Sequence, residues 1–227
     1  VNNPLTIPGV KPYWTDPTGQ TVLYHGDCLE LVELIPETAR KDLGVVTDPP
    51  YGIDFTQRTT GAKIVGDDKA FDPQPFLALD VPTILWGASE YHGALPNGSW
   101  LVWIKRAVEC TKKKTYSDAE LAWKSNGNGV HAIRHISDGC IREGEEHGIV
   151  RYHPSQKPVA VMKWCIEKIG DAPLIFDPFT GSGTTGVAAV RLGRTFLGIE
   201  IEEKYCEIAA QRISEECKQI RMDFEKR

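Results

Sequence analysis

"LIFDPFTGSGTTG" (Leu174–Gly186) reads as a short apolar strand, an acid, a glycine-rich turn and the start of a helix. That order fits a pocket at the C-terminal edge of a parallel sheet, where ligands of open α/β folds bind. Gly181 and Gly183 let the backbone turn tightly and approach a ligand closely. No Lys-Ser or Lys-Thr follows the glycines, which argues against a nucleotide P-loop. Asp177-Pro178 also interrupts the glycine pattern of a dinucleotide fingerprint. Twenty-three residues past Asp177, "RTFLGIE" ends in Glu200. Taken alone, Glu200 reads equally well as a helix-cap neighbour or solvated acid and as an acceptor for ribose hydroxyls. Behind the glycine loop, the ribose reading prevails.

Outward from this loop, strands alternate with helices. "PVAVMKWCIEKIG" places Met162, Cys165, Ile166 and Ile169 at helical spacing and stops at Gly170. "TTGVAAVRLG" is a small-residue helix, and from Glu202 the apolar positions Tyr205, Ile208, Ala209, Ile213, Cys217 and Ile220 mark a closing amphipathic helix. On the N-terminal side "TVLYHGD" is a strand. "CLELVELIPE" follows as a short helix with Cys28, Leu31, Val32 and Ile35 on one face. "LGVVTD" is continuously apolar, as buried parallel strands are, and "PTILWG" and "WLVWIK" are two further strands. The predicted fold is α/β, a doubly wound and mostly parallel sheet, in one domain over residues 1–227. Thr56 to Asp68 reads as a mobile loop. Ser125 to His153, polar with five glycines and no sustained period, reads as an irregular insertion at about 125–153.

Composition bounds the function. The 227 residues are 41% hydrophobic and 25% charged, ordinary for a soluble domain. No apolar run approaches the roughly 20 residues that cross a bilayer, so no membrane partner is expected. Six scattered cysteines without CxxC pairs suit reduced thiols and a cytoplasmic location. The net charge of −5 gives no support to nucleic-acid binding, but its distribution is uneven. Residues 101–160 hold ten Lys or Arg against seven Asp or Glu, +3, which leaves −8 for the rest. Lys112-Lys113-Lys114 is the densest basic cluster. His131, His135, Cys140, His147 and His153 crowd one segment, but they lack paired cysteines and are interrupted by Gly and Asp, so no metal is expected.

Two further stretches carry chemistry. "LGVVTDPPYG" ends a strand in Asp48-Pro49-Pro50-Tyr51, an acid, two residues without a backbone N–H, and an aromatic. "HPSQKP" (His153–Pro158) leads into the helix near Val159, where Ser155 and Gln156 can cap free amides. In this order the tetrad, the hexapeptide and the glycine loop resemble the permuted beta class of DNA amino-methyltransferases, the N6-adenine/N4-cytosine DNA methylase family. "LYHGDCLE", "SDAELAWKS" and "GIEIEEKYCEIAAQRI" fit as well, and "VGDDKAFDP" and "LWGASEY" match short phage-type members. Ser155 replaces a more usual Thr.

The resemblance implies a Rossmann-like methyltransferase fold with permuted motif order, S-adenosyl-L-methionine as cofactor and DNA as partner. It leaves room for a homodimer and a cognate restriction enzyme. Asp48 would accept one hydrogen of a target amine and the Pro49 carbonyl the other, with Pro50 stiffening the turn and Tyr51 stacking on a flipped base. The cofactor pocket would combine Asp27, Cys28, Ser155, Gln156 and Lys157 with Asp177, Pro178, Phe179, Gly181, Ser182, Gly183, Thr184, Thr185 and Glu200. Asp27 could also be only a helix cap. Lys112, Lys113, Lys114 and Arg134 are the expected DNA contacts, and the 125–153 segment the candidate target-recognition region. Adenine N6 is the expected acceptor, because family members with an acid in the tetrad mostly act on adenine; cytosine N4 is the alternative.

Overall fold

The structure is a computed structural model that describes residues 5–56, 61, 63–106, 117–138, 141–144, 152–153 and 155–225. Its elements, in chain order, begin with β1 (Trp14–Thr15), β2 (Thr21–His25), α1 (Cys28–Val32), α2 (Glu37–Arg40) and β3 (Leu43–Thr47). Then come α3 (Gln74–Leu77), β4 (Thr83–Trp86), α4 (Ala88–Tyr91), β5 (Gly98–Ile104), β6 (Ala119–Ser125) and β7 (Val130–Arg134). The chain closes with β8 (Ser137–Asp138), β9 (Ile141–Arg142), α5 (Val159–Ile169), β10 (Leu174–Asp177), α6 (Thr184–Arg191), β11 (Thr195–Glu200) and α7 (Glu203–Glu225).

Among the described residues one sheet holds nine strands in the order β1-β2-β11-β10-β3-β4-β6-β5-β7, and β8 and β9 form a separate hairpin. The centre, β2-β11-β10-β3-β4, is parallel throughout. From the β10/β3 boundary the chain winds outward in opposite senses, through α6 to β11 and through α3 to β4. This is a switch point, where the loops at the C-terminal ends of two strands part and open a crevice. Helices α5, α6 and α7 pack one sheet face through Met162, Ile166, Ala188, Ala209 and Ile213. The other face is covered by α1, α2 and α3 together with Leu5 and Ile7. The doubly wound α/β fold is as expected.

Two details differ from the expectation, and one strand lies where no element is predicted. The predicted helix over "CLELVELIPE" stops at Val32, and α2 starts separately after Pro36. A residue before proline is pushed out of helical geometry, so Ile35 cannot continue α1, although all four predicted face residues are buried. "SDAELAWKS" supplies β6, antiparallel between β4 and β5. The segment expected to be an irregular insertion instead contributes β7, parallel to β5 at the sheet edge. Among the described residues, no helix is long and apolar enough to cross a membrane.

Candidate active site

Four acids stand at or just beyond the C-terminal ends of parallel neighbours: Asp27 after β2, Glu200 on β11, Asp177 on β10 and Asp48 after β3. Asp27, Asp48 and Glu200 line a cleft of about 1620 Å³ together with Tyr51, Phe179 and Gly181, and Asp177 lies buried in the wall beneath it.

The glycine loop is built from the strand ends. Asp177 is buried; its Oδ1 accepts from Thr47 Oγ1 at 2.6 Å and from the Phe179 amide at 3.1 Å. Burial pushes its carboxyl up to about 6, and bonds from Thr185 and Thr47 restrain the rise. Gly183 has φ +81°, and a Cβ there would come within 2.9 Å of Ala209 Cα. Only glycine gives this turn both its left-handed backbone and its approach to α7. Gly181 also has φ +52°. Its amide donates to Glu200 Oε2 at 2.7 Å, while Glu200 Oε1 accepts from the Glu202 amide at 2.8 Å. Burial raises the Glu200 carboxyl, and these amides oppose the rise. Asp27 caps α1 by accepting from the Leu29 amide at 2.8 Å. Cys28 behind it is buried, and its thiol is pushed up to about 12. Ser182, Thr184 and Thr185 are buried; Ser182 Oγ and Thr184 Oγ1 accept from Arg212 at 3.0 and 3.3 Å.

The hexapeptide lies beside this loop. The Ser155 amide donates to His153 Nδ1 at 3.3 Å, and Gln156 Oε1 accepts from the Tyr152 amide at 3.0 Å and from Ser182 Oγ at 3.3 Å. His153 packs edge-on against Tyr205, and burial pulls its ring down to about 4, so it is neutral. Lys157, expected among the cofactor contacts, has its ammonium on the tetrad instead. Its Nζ donates to both Asp48 oxygens at 2.7 Å and to the Tyr51 hydroxyl at 2.9 Å.

In the tetrad itself, the Tyr51 hydroxyl donates to Asp48 Oδ1 at 2.6 Å. The Tyr51 ring lies on Gly87, where a Cβ would fall 2.1 Å from it. Burial raises the Asp48 carboxyl, and the Lys157 ammonium opposes it. Asp67 fixes the turn that follows. Its buried carboxylate accepts from the amides of Tyr51, Gly52 and Phe55 at 2.7, 2.9 and 2.6 Å.

The structure thus brings the expected catalytic and cofactor residues, apart from Gly183 in the turn behind them, along the cleft or its underlying wall. Lys112, Lys113 and Lys114 lie outside the described residues, and Arg134 is exposed on β7, away from the lining of the cleft. His131 is likewise exposed on β7, whereas Cys140 and His147 lie outside the described residues. Asp67 and Glu120 escaped the sequence reading. The one available signal for Glu120 is an acid inside the strand-like "AELAW", which requires a partner when partly buried.

Comparisons with known proteins bear on this geometry. Residues 101–211 match a DNA methylase family model, a span that includes the hexapeptide, the glycine loop and Glu200. The chain is 28% identical to the Type II methyltransferase M.ScaI of Streptomyces caespitosus, over 92% of this chain and 86% of that protein. Its fold resembles PvuII DNA methyltransferase, described as cytosine-N4-specific, with a TM-score of 0.63 and 18% identity over 93% of this chain and 94% of that one. It also resembles M1.HpyAVI, solved as a complex with SAM, with a TM-score of 0.54 and 22% identity over 85% of this chain and 98% of that one.

Proposed function

We propose that this chain, whose residues 101–211 match a DNA methylase family model, transfers a methyl group from S-adenosylmethionine to the N6 amine of adenine in DNA. The observation that carries this reading is the Asp48 carboxylate. It opens, 16% exposed, into the same cleft as the glycine loop and Glu200.

The cleft residues suit the cofactor. Glu200 holds two amides, yet each carboxylate oxygen has a second lone pair for a ribose hydroxyl, and Phe179 offers a ring beside it. Asp27, Gly181 and Gln156 complete the wall. When bound, S-adenosylmethionine supplies an electrophilic methyl carbon on a positively charged sulfur.

The chain's part is to prepare the acceptor. An exocyclic amine donates its lone pair to the aromatic ring, and attack requires that pair to be freed and aimed. Asp48 accepts one amine hydrogen in a charge-assisted bond, and the Pro49 carbonyl accepts the other. Pro49 and Pro50 hold this turn extended before the base arrives, so little ordering remains at binding. The base must leave the duplex to reach it. Adenine is favoured because the tetrad begins with an acid, and the motif resemblance implies that members with an acid there mostly act on adenine. Cytosine N4 is the second reading, since it presents the same two hydrogens and one lone pair, and the PvuII neighbour is cytosine-N4-specific.

Transfer of a labelled methyl group to duplex DNA and to RNA tests this reading. DNA should be labelled and RNA not. Asp48→Ala should lower transfer by at least ~10²-fold while calorimetry shows cofactor affinity intact. Equal loss of cofactor affinity would give Asp48 a structural role instead.

A further inference from the structure

Glu120 stands between two ammonium groups in a part of the cleft to which the methyl-transfer reading assigns nothing. Lys105 Nζ is 2.7 Å from its Oε1, and Lys157 Nζ is 3.1 Å from its Oε2. Lys157 in turn holds both oxygens of Asp48. The four charges alternate in sign along this row and sum to zero. They come from the end of β5, from β6, from the turn before α5 and from the end of β3, so the tertiary fold alone assembles them. Lys157 is 6% exposed and its Nζ lies 5.6 Å from the centre of the Trp86 ring. An ammonium held there depends on its carboxylate partners, because water cannot replace them.

We propose that Lys157 and Glu120 are positioning residues for methyl transfer: the Lys157 ammonium, anchored by Glu120, holds the Asp48 carboxylate ionised and aimed at the incoming amine. The inference rests on the reading of Asp48 as the amine acceptor.

The charge balance gives each partner a separate effect. The groups facing Asp48 are Lys157, the Tyr51 and Tyr91 hydroxyls, Glu120, Asp177 and the Cys165 thiol, which burial keeps neutral. Without Lys157, burial and the two other acids would favour the protonated acid, which cannot accept a hydrogen from the amine through its O–H oxygen. Lys105 would still neutralise Glu120 but would not reach Asp48. Without the charge of Glu120, the ammonium would belong to Asp48 alone and would stabilise its ionised form further. Burial by itself lowers Lys157, but Asp48 and Glu120 outweigh it and hold the ammonium charged.

The two variants therefore displace the acid limb of the rate profile in opposite directions. In single-turnover transfer measured against pH, Lys157→Met should move the limb up by at least about one unit, a tenfold loss at a fixed pH on that limb. Glu120→Gln should move it down, and calorimetry should find S-adenosylmethionine affinity unchanged within about threefold in both. Limbs that stay in place, or a fall in cofactor affinity matching the fall in rate, would overturn the proposal and return Lys157 to the cofactor site. If Lys157→Met does not fold, Glu120→Gln decides alone: a lowered limb supports the proposal and an unmoved one overturns it. If the wild-type protein transfers no methyl group, the methyl-transfer reading fails by itself. Carbon-13 NMR titration of the Asp48 carboxyl then tests the charge row, with the same opposite displacements expected.

Discussion

At the scale of single residues, Glu200 is both a structural brace and the proposed ribose acceptor. Its two oxygens hold the amides of Gly181 and Glu202, so the acid fastens the glycine loop to the start of α7. Glu200→Ala removes that brace together with the remaining lone pairs. The expected result is at least ~10-fold weaker S-adenosylmethionine binding by calorimetry, since hydrogen bonds to a charged group contribute about 1.5–3 kcal/mol. An unchanged dissociation constant would remove Glu200 from the cofactor site. Glu200 and Asp48 were legible in the sequence because each ends an apolar run beside glycines or prolines, a purely local pattern. Asp67 and Glu120 were not. The amides Asp67 holds lie 12 to 16 residues upstream, and Lys157, which links Glu120 to Asp48, is 109 residues from that acid. Nothing local marks Asp67, and an acid inside "AELAW" signals only that Glu120 needs a partner, not which one.

At the scale of elements, the junction of β4 and α4 sets the position of Tyr51. Gly87 has φ +72° and its α-carbon is covered by the Tyr51 ring. In Gly87→Ala the methyl group would displace the ring, and the ring hydroxyl would leave Asp48. Left-handed backbone on a non-glycine residue also costs about 1–3 kcal/mol. We expect roughly 10²-fold slower transfer, with a small loss of thermal stability and unchanged cofactor binding; full activity would show that the ring position is immaterial. The parallel strands were legible because burial on both faces makes them continuously apolar, as in "LGVVTD". The edge strand β7 was not, since Val130, His131, Ala132 and Arg134 are all exposed and leave no alternation to read. Nor could β6 be placed by pattern. Its antiparallel place between β4 and β5 is set by pairing with strands far from it in sequence or reversed in direction, which its own residue pattern does not encode.

At the scale of the whole molecule, residues far apart in sequence meet because β2, β11, β10 and β3 are parallel neighbours that end on one edge. The motif order along the chain was legible; the spatial order of the strands came only with the fold. The whole-chain charge of −5 hides a positive middle segment, and that segment contributes Lys105 and Lys157 to the charge row at Asp48. The same edge offers two walls to one cleft, with the glycine loop and Glu200 on one side and the tetrad on the other. A base between them would present its amine to Asp48 and Pro49. The most direct measurement digests duplex DNA to nucleosides after reaction with methyl-labelled S-adenosylmethionine. The label is expected in N6-methyladenine, whereas label in N4-methylcytosine alone would contradict the choice of base. Label at a ring carbon, or absent from the DNA, would contradict amine methylation itself.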